Sequence, residues 1–263
     1  MTEITGAESG SAPNPRRADA LAPAWGCRTD DILVAHAVFR RLFSLLPAAV
    51  RTTDAHDRKR ARTLVGRIGM ATGGLHHHHA TEDATLWDTL ETRAPACGLH
   101  VHLMRAQHAR IAVLLDSVDE LARWWRVDAD PNVRDRLAAR LDEVDLALRL
   151  HLKDEETKIL PVVQTVMSQL EWDEVGAMAR SDVDPRSAFA MLGLMLHAAE
   201  DAQRAEFEEH VPRIAMTLYR LFGHLQYERV EADLRTATPV TAVATTQPRR
   251  TRPVLGRPAP FAS

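Results

Sequence analysis

A chain of 263 residues is long enough for one good-sized domain, or for a domain with an appendage. Charged residues make up 26% of it and the net charge is −3, which removes any bulk electrostatic case for nucleic acid or an anionic membrane as partner. Aromatics are only 5% while Ala, Leu, Arg, Asp and Glu abound, so helix is the favoured state, and two cysteines are too few for a disulfide framework and fit a reducing, cytoplasmic setting.

Residues 1–28 combine acids, Gly, Ser and Pro with no apolar run, and read as a disordered leader rather than a signal peptide. A first helix is expected from Asp30 to about Leu46, ended by Pro47, and a long second one from near Asp54 to about Thr92. A third should span roughly 99–125. A fourth opens at Asp130-Pro131, an N-cap with proline at the first helical position, and runs to about Leu160, where Pro161 kinks or ends it.

Beyond it, Ser168-Gln-Leu-Glu171 is a capping box opening a fifth helix, and Asp184-Pro185 opens a sixth. Residues 204–235 are helical in pattern with a bend at Pro212, so 167–235 form a C-terminal helical extension. This extension carries no chemical motif, and is expected either to pack over the rest or to offer a homodimer surface. Its one long apolar run, "FAMLGLMLHAA" at 189–199, is far short of a membrane span. From 236 to 263 the chain turns to Thr, Pro and Arg and reads as a flexible tail. Its Arg249, Arg250, Arg252 and Arg257 fit a solvated terminus better than a basic arm.

The decisive signal is a repeat. In the second helix Leu64, Ile68, Ala71, Leu75, His78 and Glu82 step by 4, 3, 4, 3, 4, and in the fourth Leu137, Leu141, Val144, Leu148, His151 and Glu155 do the same, 73 residues later. The first helix has Ile32, His36, Phe39, Phe43 and Leu46. The third has Met104, His108, Ile111, Leu115 and Val118, with equal steps at an offset of 72. A helix pair is thus used twice, and each copy places a lone His and a His-x-x-x-Glu in the core stripe. Residues four apart share a face, so each pair can present a nitrogen and a carboxylate to one centre.

Buried polar groups of this kind are costly unless something satisfies them. In an antiparallel four-helix bundle His36, His78, Glu82, His108, His151 and Glu155 can converge at one level. Four imidazoles and two carboxylates suit a pair of first-row metal ions, and bridging carboxylates favour iron or manganese. The alternative is a hydrogen-bonded polar core without metal. Of the run His76–His79, the stripe selects His78. The second copy has Leu152 where the first has His79, so His76, His77 and His79 are expected on flanking or solvent faces. His56, His100 and His102 are read as solvent histidines, His197 as an outside chance for a further ligand, and His210 and His224 as without pattern. Met104 and Met191 are read as filling gaps.

These residues resemble the hemerythrin family in its HHE cation-binding branch. The resemblance is carried by "AH" at 35–36, "HHATEDATLW" at 78–87, "QHARI" at 107–111 and "HLKDEETKILP" at 151–161, and covers roughly residues 30–165. It implies an all-α, up-and-down four-helix bundle over residues 29–166 around a non-haem di-iron centre, its two irons joined by an oxo or hydroxo bridge. His36, His78, His108 and His151 would be terminal ligands, and Glu82 and Glu155 bridging or chelating carboxylates.

The chain departs from oxygen-carrying hemerythrins in two places. The positions four before and four after His108 are the apolar Met104 and Ala112, and the last motif is His-x-x-x-Glu rather than a longer His-to-Asp spacing. Both departures argue against reversible O2 carriage and imply an open coordination position. The resemblance therefore implies an iron protein that binds or turns over a small oxidant such as O2, H2O2 or NO in oxidative or nitrosative stress. Catalase-like, peroxidase-like or NO-reducing turnover needs an acid–base residue, and none is assignable beyond the ligands. A non-catalytic iron or oxygen sensor, signalling through the C-terminal region, is the alternative.

Overall fold

The computed structural model describes residues 25–181, 187–200, 204, 208 and 211–235. The expected tail, the Asp184-Pro185 helix start, His210 and most of the expected leader lie outside them. Five helices make the frame: α1 Asp30–Arg51, α2 Arg58–Thr85, the short α3 Trp87–Arg93, α4 Gly98–Asp128 and α5 Pro131–Asp154. A π-helical turn, Glu155–Ile159, leads from α5 into α6 Leu160–Val166. The long helices pack in a ring, α1 on α2, α2 on α4, α4 on α5 and α5 on α1, which is an up-and-down four-helix bundle.

Two helices start at the caps that the sequence provides. Asp130 accepts from the backbone N–H of Asn132 and Val133 at 2.8 and 3.0 Å, with Pro131 behind it, and so starts α5. The capping box is reciprocal: Ser168 Oγ accepts from Glu171 N at 3.3 Å, and Glu171 Oε2 accepts from Ser168 N at 2.8 Å, opening α7 Gln169–Ser181.

Pro47, by contrast, does not end the first helix. It is buried within α1, and the turn beyond it is held by the burial of Ala49 and Val50 and by Thr53 Oγ1, which donates to Ala49 O at 3.0 Å. That packing offsets the missing proline N–H. The second helix breaks at Leu86, short of Thr92, where the chain passes from α2 into α3. Pro161 does not end the last helix: it stands at the second position of α6, directly after the π turn at which the hydrogen-bonding register changes.

The apolar stripes bury as the repeat requires, and they bury in two bodies. One contains Val38 to Val50 of α1, Ala61 to Leu75 of α2, Ile111 to Trp125 of α4 and Leu137 to Leu152 of α5. The other contains Ile32, Leu86, Trp87, Leu90, Val101, Met104, Ile159, Leu160 and Val163. On all four long strings the chain crosses from one body to the other at the same level, at His36, at His78–Glu82, at His108 and at Glu155. A polar layer therefore divides the core.

The C-terminal extension lies against the bundle. Here α8 Ala188–Ala198 packs on α1 and on α10 His224–Leu234, with α9 Arg213–Leu218 leading into α10 through a second π turn, Tyr219–Gly223. Ala190, Leu194, Val230 and Leu234 join the larger core body. Two ion pairs clamp α10 down: Arg41 on Glu231 at 2.6 Å and Arg67 on Asp233 at 2.8 Å. By length and apolar composition α1 could cross a membrane, but its apolar residues are the inner face of the bundle.

Candidate metal centre

Each of the six residues singled out by the repeat stands in the dividing layer. His36, Glu82, His108, His151 and Glu155 are buried, and the His78 side chain is 11% exposed. Their inner atoms come together in two contacts per carboxylate. Glu82 lies 3.1 Å from His78 Nε2 and 3.4 Å from His108 Nε2, and Glu155 lies 3.4 Å from His36 Nε2 and 3.7 Å from His151 Nε2. The twofold repeat in sequence is thus a twofold arrangement in space, each glutamate serving two histidines from different helices.

The outer ring nitrogens decide what the inner ones can do. His36 Nδ1 meets Glu156 Oε1 at 2.8 Å, and Arg40 grips both oxygens of Glu156 at 2.8 Å. His108 Nδ1 meets Asp83 Oδ1 at 2.7 Å, and the Trp87 indole donates to the same oxygen. An ionised carboxylate only accepts, so both Nδ1 atoms carry the proton. His151 Nδ1 meets Gln107 Oε1 at 3.1 Å; the Gln107 amide is turned that way because its NH2 donates to Asp154 at 3.0 Å, and Lys158 also donates to Asp154.

With the proton outside, the Nε2 lone pair of a neutral ring faces inward, straight at carboxylate oxygens. Acceptors facing acceptors repel unless a proton or a cation lies between them. Nine buried atoms in this layer have no hydrogen-bond partner: Nε2 of His36, His78, His79, His108 and His151, and all four oxygens of Glu82 and Glu155. Buried polar atoms are seldom left so, and nine converging on one place call for a cation. Donors bound to one first-row cation stand about 3 Å apart, close to the contacts found here. His36, His78, Glu82 and Glu155 form one group with ligand atoms within 4.8 Å of one another, and His79, His108 and His151 form a second.

The ionisation pattern has the same cause. Burial, followed by the neighbouring Glu82 charge, pushes the Glu155 carboxyl up to about 8, and burial raises Glu82 as well. Burial lowers His151 to about 3 and takes His78 and His79 well below the ordinary imidazole range, with the surrounding histidines adding to it. For His108 burial works against the cation, but the Glu82 hydrogen bond and the Glu82 and Asp83 charges prevail and raise it. The protons retained by Glu155 and by the His108–Glu82 pair are those that a metal ion would displace. Burial also opposes the Glu156 charge, yet hydrogen bonds from His36 and Arg40 hold that carboxyl down at about 2.

The hemerythrin HHE cation binding domain matches residues 28–163, just over half of the chain. The chain belongs to the hemerythrin HHE family. Comparison with curated proteins and with solved structures gave no significant match. The HHE match ends within α6, so α7 to α10 lie beyond it.

Several expectations at the edge of the site change. His79, expected on a flanking or solvent face, is 6% exposed, stacked on His108 at 4.1 Å and edge-on to His151 at 4.9 Å. His76 is half-buried and His77 Nε2 donates to Ala179 O of α7 at 3.0 Å, so these two do flank the layer. His56 precedes α2 rather than standing in its first turn, with φ of 63°, and is exposed. His197 stacks on Tyr227 at 4.1 Å, outside both candidate groups. Met104 is buried in the smaller core body, and Met191 packs against the larger.

The residues that orient the rings were missed in sequence. Asp83 and Glu156 are 73 apart, the same offset as the His-x-x-x-Glu motifs, so the repeat held them too. Arg40, Trp87 and Gln107 have Ala112, Leu160 and Ala35 at the matching places, and nothing in the repeat marks them.

Proposed function

We propose that this HHE protein holds two iron ions between Glu82 and Glu155 and uses them to bind or react with a small oxidant, O2, H2O2 or NO. His36, His78, His108 and His151 are the terminal imidazoles and the two glutamates the shared carboxylates. The observation that carries this reading is the convergence of inward ring nitrogens and carboxylate oxygens 3.1–3.7 Å apart, all of them buried and without a hydrogen-bond partner. Bound iron supplies redox chemistry and an electrophilic centre at neutral pH. The chain supplies fixed ring tautomers through Glu156, Asp83 and Gln107, a dry surround from the two core bodies, and tuning through those outer hydrogen bonds. Both cysteines are free, in keeping with a reducing, cytoplasmic setting.

The experiment is anaerobic reconstitution with Fe(II), metal analysis, and ultraviolet–visible spectra before and after O2, H2O2 or NO. About two irons per chain and an oxidant-dependent visible band are expected. Fewer than about one iron per chain, with no spectral response, overturns the proposal. A sensor reading is favoured by one feature: α1 carries both His36 and Arg41, and Arg41 clamps α10 through Glu231. On that reading iron removal changes protease cleavage of the extension while turnover of oxidant stays absent.

A further inference from the structure

The layer contains one imidazole more than the repeat provides. His79 is 6% exposed, and its Nε2 has no partner. A ring nitrogen of His79 lies within 4.8 Å of ring nitrogens of His108 and His151, in a group separate from His36, His78, Glu82 and Glu155. Neighbouring helix residues are turned by about 100°, so one helix can serve both groups. On α2, His78 faces His36 at 5.2 Å between ring centroids, while His79 faces α4 and α5 through His108 and His151.

Resting on the two-iron reading above, we propose that His79 is a further metal ligand, completing a three-imidazole set with His108 and His151 around the second cation. Two imidazoles, His36 and His78, then serve the first cation, and the shared glutamates join the two sets. The assignment explains an otherwise costly placement. A neutral imidazole with an orphaned nitrogen, buried beside other imidazoles, loses water and gains nothing from the apolar neighbours. It also explains why the apolar Met104 and Ala112 on α4 leave no deficit in this layer: the nitrogen comes from α2 instead. The two sets would be unequal, three imidazoles standing in one and two in the other.

The test is a titration of the full chain with Fe(II) under anaerobic conditions, against His79→Phe, which keeps a flat ring on His108 but has no nitrogen. Loss of an outer hydrogen-bond partner costs about 10–100-fold in metal affinity. Loss of a direct ligand should weaken one of the two equivalents by at least that much and leave the other near its wild-type affinity. A wild-type chain binding two equivalents beside a His79→Phe variant that binds both as tightly overturns this inference alone. A wild-type chain that binds fewer than two overturns the two-iron reading together with it. Should the variant not fold, the wild-type protein decides the matter by itself. Loaded with Zn(II) and labelled with 15N-histidine, it should show five metal-bound imidazole nitrogens, and four would refute the assignment.

Discussion

Glu155 gives the sharpest test of how the empty-handed protein copes with its own site. Its carboxyl is held at about 8 in the fold, against an ordinary 4.5. A raised value means that the folded chain keeps a proton that the unfolded chain releases. The stabilisation is complete below about 4.5 and is lost as pH rises through 8. Glu82 and His108, both raised, act with the same sign. His78, His79 and His151 act oppositely, since they are lowered, but above about 6.5 their rings are neutral folded or unfolded and they drop out. Between pH 6.5 and 8 the carboxylate is therefore unopposed. At about 1.4 kcal/mol per unit, Glu155 alone removes on the order of 2 kcal/mol, or a fall in Tm of roughly 4–8 °C for a domain of this size. Thermal unfolding of chelator-treated protein by circular dichroism at pH 6.5, 7.2 and 8.0 measures it. Iron-loaded protein should not show the decline, because the cation takes the proton's place. Glu155→Gln, uncharged throughout, should flatten it while abolishing metal uptake. A metal-free wild type whose Tm is level or rises over that range, or a Gln variant that declines as steeply, would falsify the reasoning.

Further outcomes follow from the ring-orienting contacts and from the extension. Glu156→Ala removes the acceptor of His36 Nδ1 and leaves Arg40 unpaired, and should weaken metal binding by about 10–100-fold in a competitive chelator titration. Asp83→Ala makes the same cut at His108 Nδ1, and should act on the other cation position, so the two variants should shift different steps of that titration. Gly193→Ala puts a Cβ 2.5 Å from Tyr227 Cβ and 2.9 Å from Tyr219 Oη, where α8 meets the last helices. It should cost about 1–3 kcal/mol in urea unfolding and loosen the extension to protease without altering iron content. Leu75→Ala, one turn before His79 and fully buried, should cost about 2–5 kcal/mol.

The four-helix bundle and the six-residue layer were legible because both rest on one periodicity. Apolar steps of 4 and 3 define an inner face, and a polar residue on that face must be satisfied. Helix ends governed by local hydrogen bonds, at Asp130 and Ser168, were equally legible. Those decided by tertiary packing were not. Pro47 carries a local penalty, and only the burial of Ala49 and Val50 shows that the helix outlasts it. Pro161 follows a π turn at Glu155–Ile159 at which the register changes, and that turn begins at the residue that faces the metal layer. Arg40, Trp87 and Gln107 reach their rings from neighbouring helices or adjacent turns, at spacings that no repeat imposes.

His79 is the instructive error, since the repeat itself held the answer. The second copy has Leu152 at the matching place, which on its face sends His79 to a flanking or solvent position. Yet Leu152 is fully buried, as a leucine beside an inward histidine ought to be. A duplicated helix presents the same faces to the same neighbours, so an apolar residue in one copy marks an inward position in both. The polar residue that replaces it in the other copy is then the exception requiring a partner. Applied to position 79, that rule puts an imidazole inside the bundle beside His108 and His151 before any coordinates are seen. Position 76 does not pass the same test, because its match is Arg149, whose side chain is half exposed on the Asp145 carboxylate. The run of four histidines thus divides by what the second copy buries: His78 and His79 face the layer, and His76 and His77 flank it.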